Sequence, residues 1–544
     1  MQQSPIPKVI KSISHAIAAG RPPMPPEAEM AFLEENPDSI AHAVNALLAD
    51  MAKPKGIKPD VLTAYVWFLS MLLEPLRYSI ESGYVWAADL VAAVQERLAQ
   101  AIRDEIGTPP AWHEILSSFR HVRIPLAPAV RAAFLGVEDA DAAELAPHVR
   151  DKASDMLKPM LKALVDSGLE SPFVLLEQIN EVVGDLYPAL VKKVLFEHLV
   201  TASQPLLRDT AVLMMLDKTP EIRHQAVARI ETLAREGTLT PDSVRRLPVI
   251  VRWLPAEEQS AAQAMLNAAA GCPAAPWPEP VANLELYATL SDGSGALGVY
   301  LTGGKGKDAL FGSLLFKEKQ GLVEVWCEHP TDRRQTEEMI REARESFSAF
   351  AADPDYLDDL VAHGLAVAHP PPSAAMLLRL AEATGRTTWA PRWLDVGTLC
   401  AGLPVDTFSS PAALKAVLER SGDWPLAHDF AASWMEAGAA FDAVIDDLEE
   451  SAHPLTLDAM ETAVLDYILE PRRAVWAERL VLSALAVRAA TTASSLPPWH
   501  DFATLAKVLS DDEPVRTIPL MRTIAHKSIM TAAMEEDDEE EEEN

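Results

Sequence analysis

Along most of the chain, apolar side chains recur every three to four residues, the spacing that lines them along one face of an α-helix. The clearest run follows Thr219, where Ile222, Ala226, Ile230 and Leu233 are interleaved with Arg223, Arg229 and Glu231. A second follows Thr240, with Val244, Leu247, Val251 and Leu254 at helical intervals. Both open on a hydroxyl residue followed by proline, and Ser171-Pro172 and Ser410-Pro411 repeat the device. The hydroxyl can cap a free backbone N–H, and proline loses nothing at the first helical position because its missing N–H would have no partner there. The starts at Thr219 and Thr240 lie 21 residues apart. A helix pair therefore occupies about 40 residues, the size of a two-helix repeat.

The middle of the chain has a different period. After the proline-rich segment Pro273–Pro280 come four short apolar runs, Leu284–Leu290, Leu297–Leu301, Ala309–Phe316 and Leu322–Cys327. They are separated by Asp292-Gly293-Ser294-Gly295, Gly303-Gly304-Lys305-Gly306 and Lys319-Gln320-Gly321. Short β-branched and aromatic runs divided by turn residues predict an antiparallel meander. Helical spacing returns from Asp332 to about Ala533, with Trp424, Leu426, Phe430, Trp434, Phe441, Val444 and Leu448 as candidate core and His369-Pro370-Pro371-Pro372 as a loop.

One segment carries a family signature. In Leu216-Asp217-Lys218-Thr219-Pro220-Glu221-Ile222-Arg223-His224-Gln225-Ala226, an aspartate and a basic residue stand six apart, with Ile222 and Ala226 at apolar positions. This resembles the HEAT repeat, over about residues 203–236. The resemblance implies a stack of helix pairs in which Asp217 and Arg223 join neighbouring units in a polar ladder. The fold expected is thus mainly α, a HEAT- or armadillo-like stack or superhelix with a small antiparallel meander near its middle. The expected divisions are a helical region 1–272, a linker 273–282, a β-rich segment 283–329, a second helical region 330–533 and a disordered acidic tail 534–544.

Charge narrows the partners. The formal net charge is −33, and nine of those charges fall in the run Glu535–Glu543, leaving −24 for the rest. Such a chain repels phosphate polymers and anionic membranes overall. From Lys192 to Arg252, however, ten Lys and Arg face seven Asp and Glu. Arg223, Arg229, Arg245, Arg246 and Arg252 on one concave face would form a site for phosphate or an acidic partner. No apolar stretch approaches the roughly 20 residues of a membrane span. Met1–Gly20 lacks the pattern of an export signal, and Cys272, Cys327 and Cys400 are too few and too scattered for a disulfide framework. The expected location is the cytoplasm.

Candidate chemistry is sparse. Gly293, Gly295 and Gly298 spell GxGxxG, but a strand and not a helix follows, so a hairpin turn is expected. Gly303-Gly304-Lys305-Gly306-Lys307 resembles a phosphate loop, yet Leu301 stands where the first glycine belongs and Asp308 where the hydroxyl belongs. Cys327 with His329, His363 with His369, and His113-Glu114 lack the spacing of metal sites. No catalytic residue, cofactor or metal is assigned. The expected function is a non-catalytic protein-protein interaction scaffold, with self-association through the β segment as a further partner expectation. The alternative is nucleic-acid binding or base processing on a HEAT-like scaffold through the 192–252 stretch.

Overall fold

The computed structural model describes residues 5–25, 30, 33, 36–136, 147–184, 189–306, 309–329, 333–368, 370–404, 406–450, 456–492, 496–511 and 513–543. Lys307, Asp308, Asp332 and His369 lie outside them. The chain divides into two compact units, residues 1–168 with 177–195, and residues 169–176 with 196–544.

The first unit is helical. It begins with α1 (Ile6–Ala18), α2 (Ser39–Met51), α3 (Pro59–Glu81), α4 (Val85–Arg103), α5 (Pro109–His121) and α6 (Pro128–Leu135), and α7 (Pro147–Asp166) follows. Val9, Ile13, Ile40, Leu47, Phe68, Leu73, Leu98, Ile115 and Phe119 are buried together. The helices do not pair simply with their chain neighbours: α3 packs chiefly on α5, and α4 on α6. That arrangement buries two faces of each inner helix, which explains why α3 and α4 are apolar over more than a single stripe.

Next in the chain are α8 (Pro172–Val183) and α9 (Ala189–Val200). The second unit then contains α10 (Pro205–Leu213), α11 (Pro220–Glu236), α12 (Pro241–Arg252) and α13 (Gln259–Ala269). Helices begin at Pro172, Pro220, Pro241 and Pro411, as the hydroxyl-proline pairs predict. Thr240 and Ser410 accept the capping N–H of Ser243 and Ala413. Thr219 does not cap; its own N–H instead donates to the Asp217 carboxylate at 2.8 Å. Ile222, Ala226 and Ile230 are buried, and α11 rests mainly on α13.

The predicted meander forms β1 (Glu285–Ala288), β2 (Ala296–Gly303), β3 (Leu310–Lys317) and β4 (Gly321–Glu328). After α14 (Arg333–Ser346), a fifth strand, β5 (Phe350–Ala352), completes an antiparallel sheet of order β4-β3-β2-β1-β5. The sheet thus extends beyond residue 329, the expected end of the β-rich segment: β5 is three residues long, too short to carry an alternation, and its pairing with β1 is what makes it a strand. One sheet face, with Leu286, Val299, Leu301, Leu314, Phe316, Leu322 and Val325, is buried. It packs on α15 (Tyr356–Val367) and α16 (Ala374–Thr384), closely enough that a Cβ on Gly364 would meet Leu322 at 2.6 Å.

The remaining helices are α17 (Val396–Cys400), α18 (Asp406–Ser409), α19 (Pro411–Ser421), α20 (Trp424–Ala427), α21 (Ala439–Glu449), α22 (Leu457–Ala463), α23 (Arg473–Ala489), α24 (Trp499–Ser510) and α25 (Pro519–Glu543). Trp424, Trp434, Trp476 and Phe502 form their aromatic core. Leu426 is instead 69 % exposed, because the short α20 buries Trp424 and Pro425 and turns the next residue outward. The acidic run is corrected as well: its backbone continues α25, a helix already nucleated by the buried Leu520, Met521, Ile524 and Ile529. Extending an existing helix costs far less than starting one, and glutamate is a good helix former. Among the described residues no helix is long and apolar enough to cross a membrane.

Candidate functional site

The two ends of the sheet differ. At one end lie the β1–β2 and β3–β4 turns, and both are clamped to the C-terminal helices. Gly293 N–H donates to Ser433 Oγ at 2.9 Å, and the Trp434 indole N–H donates to the Ser291 carbonyl at 2.9 Å. Glu318, in the β3–β4 turn, pairs with Arg479 at 2.9 Å and Arg472 at 3.3 Å, and Arg472 also pairs with the buried Glu436. Burial pushes the Glu436 carboxyl up, against the opposing pull of Arg472 and the Trp476 N–H. Two carboxylates and two guanidiniums thus neutralise one another beneath the turn.

The opposite end is open. There the β2–β3 turn, the start of β1, the end of β4 and α14 enclose a cleft of about 1390 Å³. Its sheet wall carries Asn283, Glu285, Tyr287 and Thr302, and its turn wall Gly303, Gly304, Lys305 and Gly306. Gly304 and Gly306 have φ of 68° and 61°, a left-handed backbone that glycine adopts without strain. On α14, Thr336, Glu337, Ile340, Arg341, Arg344 and Glu345 face the cleft, the one-sided spacing of an amphipathic helix.

Several side chains in the cleft are already engaged. The Tyr287 hydroxyl donates to Glu285 at 3.3 Å, and the Arg344 guanidinium lies over the Tyr287 ring at 5.9 Å. Burial first, and Glu285 second, push the Tyr287 phenol up. His329 Nδ1 lies 2.8 Å from the Ala309 carbonyl, so in the neutral ring this nitrogen carries the proton. Lys305 and Arg341 have no ion pair among the described residues, nor does Arg344, whose guanidinium rests on the Tyr287 ring; the Thr336 hydroxyl is sealed from solvent and has no hydrogen-bond partner among the described residues. Beyond the cleft the outer sheet face continues as a row in register, Tyr287, Tyr300, Ser313 and Trp326.

The five arginines singled out from the sequence do not form a surface. Arg223 is buried, with its Nε 3.0 Å from Glu258 and its Nη1 donating to the carbonyls of Asp217 and Lys218. Arg246 forks onto Glu382 at 2.6 and 3.2 Å, and Arg245 reaches Asp242, Glu382 and the Pro276 carbonyl. Arg252 donates to the carbonyls of Pro248, Thr387 and Trp389. Arg229 alone of the five is left without such a bond among the described residues. The expectation of a shared phosphate-binding face is therefore overturned, because Arg223 ties the turn before α11 to Glu258, and Arg245, Arg246 and Arg252 hold the linker and the 382–389 region against α12. Spacing could have warned of this: Arg246 lies on the buried stripe Ser243–Arg246–Ile250, and Arg223 on Arg223–Val227–Ile230.

The remaining motifs resolve into structure. GxGxxG is a hairpin turn, and a Cβ on Gly293 would come within 1.8 Å of the Ser433 carbonyl oxygen. Cys327 is buried on the inner sheet face. His363 is wholly buried, receiving the Leu394 N–H at Nδ1 and donating from Nε2 to Glu478 at 2.9 Å. Among the described residues no group of three His, Cys, Asp or Glu is placed to hold a metal. What the sequence reading missed is Tyr287 with Arg341 and Arg344, which lie more than 50 residues apart and meet only once the sheet forms.

Two stretches match known family models: residues 188–270 the Y4lR second domain, and residues 396–533 the Y4lR C-terminal helical domain. The sheet and its cleft fall between them. No solved structure matches. Along most of its length the chain is similar to the uncharacterized protein y4lR of Sinorhizobium fredii, at 22 % identity over 507 residues, which span 89 % of this chain and 90 % of that protein.

Proposed function

We propose that this chain is a protein-interaction scaffold, in which HEAT-like stacked helix pairs carry a small sheet and the cleft between that sheet and α14 is the recognition site. The observation that carries the reading is the cleft itself, about 1390 Å³ between the sheet and α14, with the exposed Lys305 and Arg341 on its lining and free of ion pairs among the described residues. A large concave site with charged groups facing solvent is where another molecule can bind. Support for the stacked scaffold comes from helices that pack on the helix two ahead in both units. It comes also from Arg223, which reaches from α11 to Glu258 at the start of α13, a buried polar contact between alternate helices, comparable to the links that HEAT repeats make between units.

Quantitative affinity capture tests the proposal with the full chain and an Arg341→Glu/Arg344→Glu variant. Both side chains are exposed, so the variant should melt at the same temperature as the parent. A stoichiometric protein retained by the parent and lost by the variant is the expected result. Equal retention by both, or no stoichiometric protein on either, overturns it.

A further inference from the structure

We infer that the solvent face of α25, together with the start of α22, docks a basic amphipathic helix of another protein. The two helices run antiparallel: His526 Nδ1 on α25 lies 2.8 Å from a Glu461 carboxylate oxygen on α22, while Glu470, beyond the far end of α22, accepts the Val515 N–H ahead of α25. One turn outward from the His526–Glu461 contact, Met530 follows on α25 and Leu457 on α22. Residues four apart share a helix face, so these two apolar side chains are neighbours. Leu457 is 42 % exposed, Met530 43 % and Met534, a further turn along, 63 %. The buried stripe of α25, with Met521, Ile524, Ala525, Ser528 and Ile529, lies on a different face of the helix. α25 therefore carries a second apolar face, and that one meets solvent.

Charge selects what can cover that face. Immediately after Met534 come nine carboxylates in succession, Glu535–Glu543, on backbone that stays helical, and the exposed Asp458 adjoins Leu457. The nearby cations are committed, His526 to Glu461 and Lys527 to the carbonyls of Pro425 and Ala432. Arg522, the next cation back along α25, stands eight residues before Met530, about 12 Å away and past the screening length of about 8 Å. A partner must therefore offer Lys or Arg to the carboxylates, and apolar side chains three or four residues apart to Leu457 and the methionines. Methionine is unbranched and adapts to the shape laid against it. From Met530 to Glu543, α25 rises about 20 Å, so a helix of about 14 residues laid alongside would meet both parts. Nucleic acid and anionic membrane are repelled by the same carboxylates.

Fluorescence anisotropy with the intact chain tests the assignment, using two labelled peptides of about 14 leucines and lysines each. In one the leucines recur at helical spacing; in the other the same residues are permuted so that they do not. The first should bind saturably and several-fold more tightly than the second, and raising salt from about 50 to about 300 mM should weaken both. Truncation after Ala533 removes Met534 and the acidic run but none of the buried stripe of α25, and should loosen the first peptide by roughly tenfold or more. Met530→Ser/Met534→Ser should loosen the first several-fold with little effect on the second, and should melt close to the parent because both side chains are exposed. No saturable binding, equal binding of the two peptides, or binding that survives the truncation or the serine variant overturns the inference. So does a loss caused by Arg341→Glu/Arg344→Glu, which would put the peptide in the cleft. Failure at α25 leaves the cleft reading untouched, because the two surfaces share no residue.

Discussion

Glu382 holds two arginines at once, Arg246 through a fork and Arg245 at 3.5 Å, and Glu382 and Arg246 are both more than nine-tenths buried. Removing one partner of such a cluster leaves charge in a poorly solvated place, which costs far more than the net worth of the contact. Glu382→Ala should therefore cost about 3 to 5 kcal/mol in urea denaturation. A loss below about 1 kcal/mol would show that water reaches the pair. Gly293 makes a different kind of demand. Its Cβ would overlap the Ser433 carbonyl oxygen, a backbone atom that cannot swing aside, so Gly293→Ala should cost about 1 to 3 kcal/mol and lower the melting temperature.

Glu470 gives a residue-scale pH dependence. Partial burial raises its pKa, but the Val515 N–H at 3.1 Å and the Arg473 guanidinium outweigh that and hold the carboxyl below its ordinary value. A depressed folded-state pKa means stability that is present above the unfolded value, about 4.3, and lost as pH falls through the folded one. The side chain is 43 % exposed, so the effect is small, about 1 kcal/mol or less. Glu470→Gln should lower stability near neutral pH, and the two unfolding curves should converge in acid. Curves that stay parallel at every pH would count against the assignment.

At the scale of elements, the period of apolar positions located the helices and the four-strand meander well, because each element buries one face and so writes its own spacing. The hydroxyl-proline starts at Thr240 and Ser410 behave as read, while Thr219 yields its role to Asp217. The site was not legible. Tyr287, Lys305 and Arg344 come together through strand pairing and the return of α14, and nothing local in the sequence ties them. The buried arginines were misjudged for the same reason, since Glu258 and Glu382 reach them from 35 and 136 residues away. The edge strand β4 also bears on the expected self-association. It carries a register shift opposite Leu315/Phe316 of β3, and exposed Glu324, and both features discourage edge-to-edge pairing. The acidic end of α25 yields a further prediction. Leu520 to Ile529 supply its buried contacts, and nine carboxylates at a helix C-terminus oppose the helix dipole. Truncation after Ala533 should leave the melting temperature unchanged or slightly raised, and a fall of several degrees would show that the acidic turns carry packing.

Across the whole molecule, long-range repulsion and short-range pairing act on stability in opposite directions. With a net charge of −33, the folded chain repels itself, and that repulsion is long-range and exposed to solvent. The attraction that holds it together at Arg223–Glu258, Arg246–Glu382 and Arg479–Glu318 is short-range and largely buried, where ions of the solvent screen little. Added sodium chloride should therefore weaken the repulsion more than the pairs and raise the melting temperature, by a few degrees between about 20 and about 200 mM. Thermal melts in matched buffers measure the slope. A melting temperature that drops with salt would mean that exposed ion pairs, such as Arg386–Asp355 and Arg103–Glu96, contribute more to the fold than their accessibility allows.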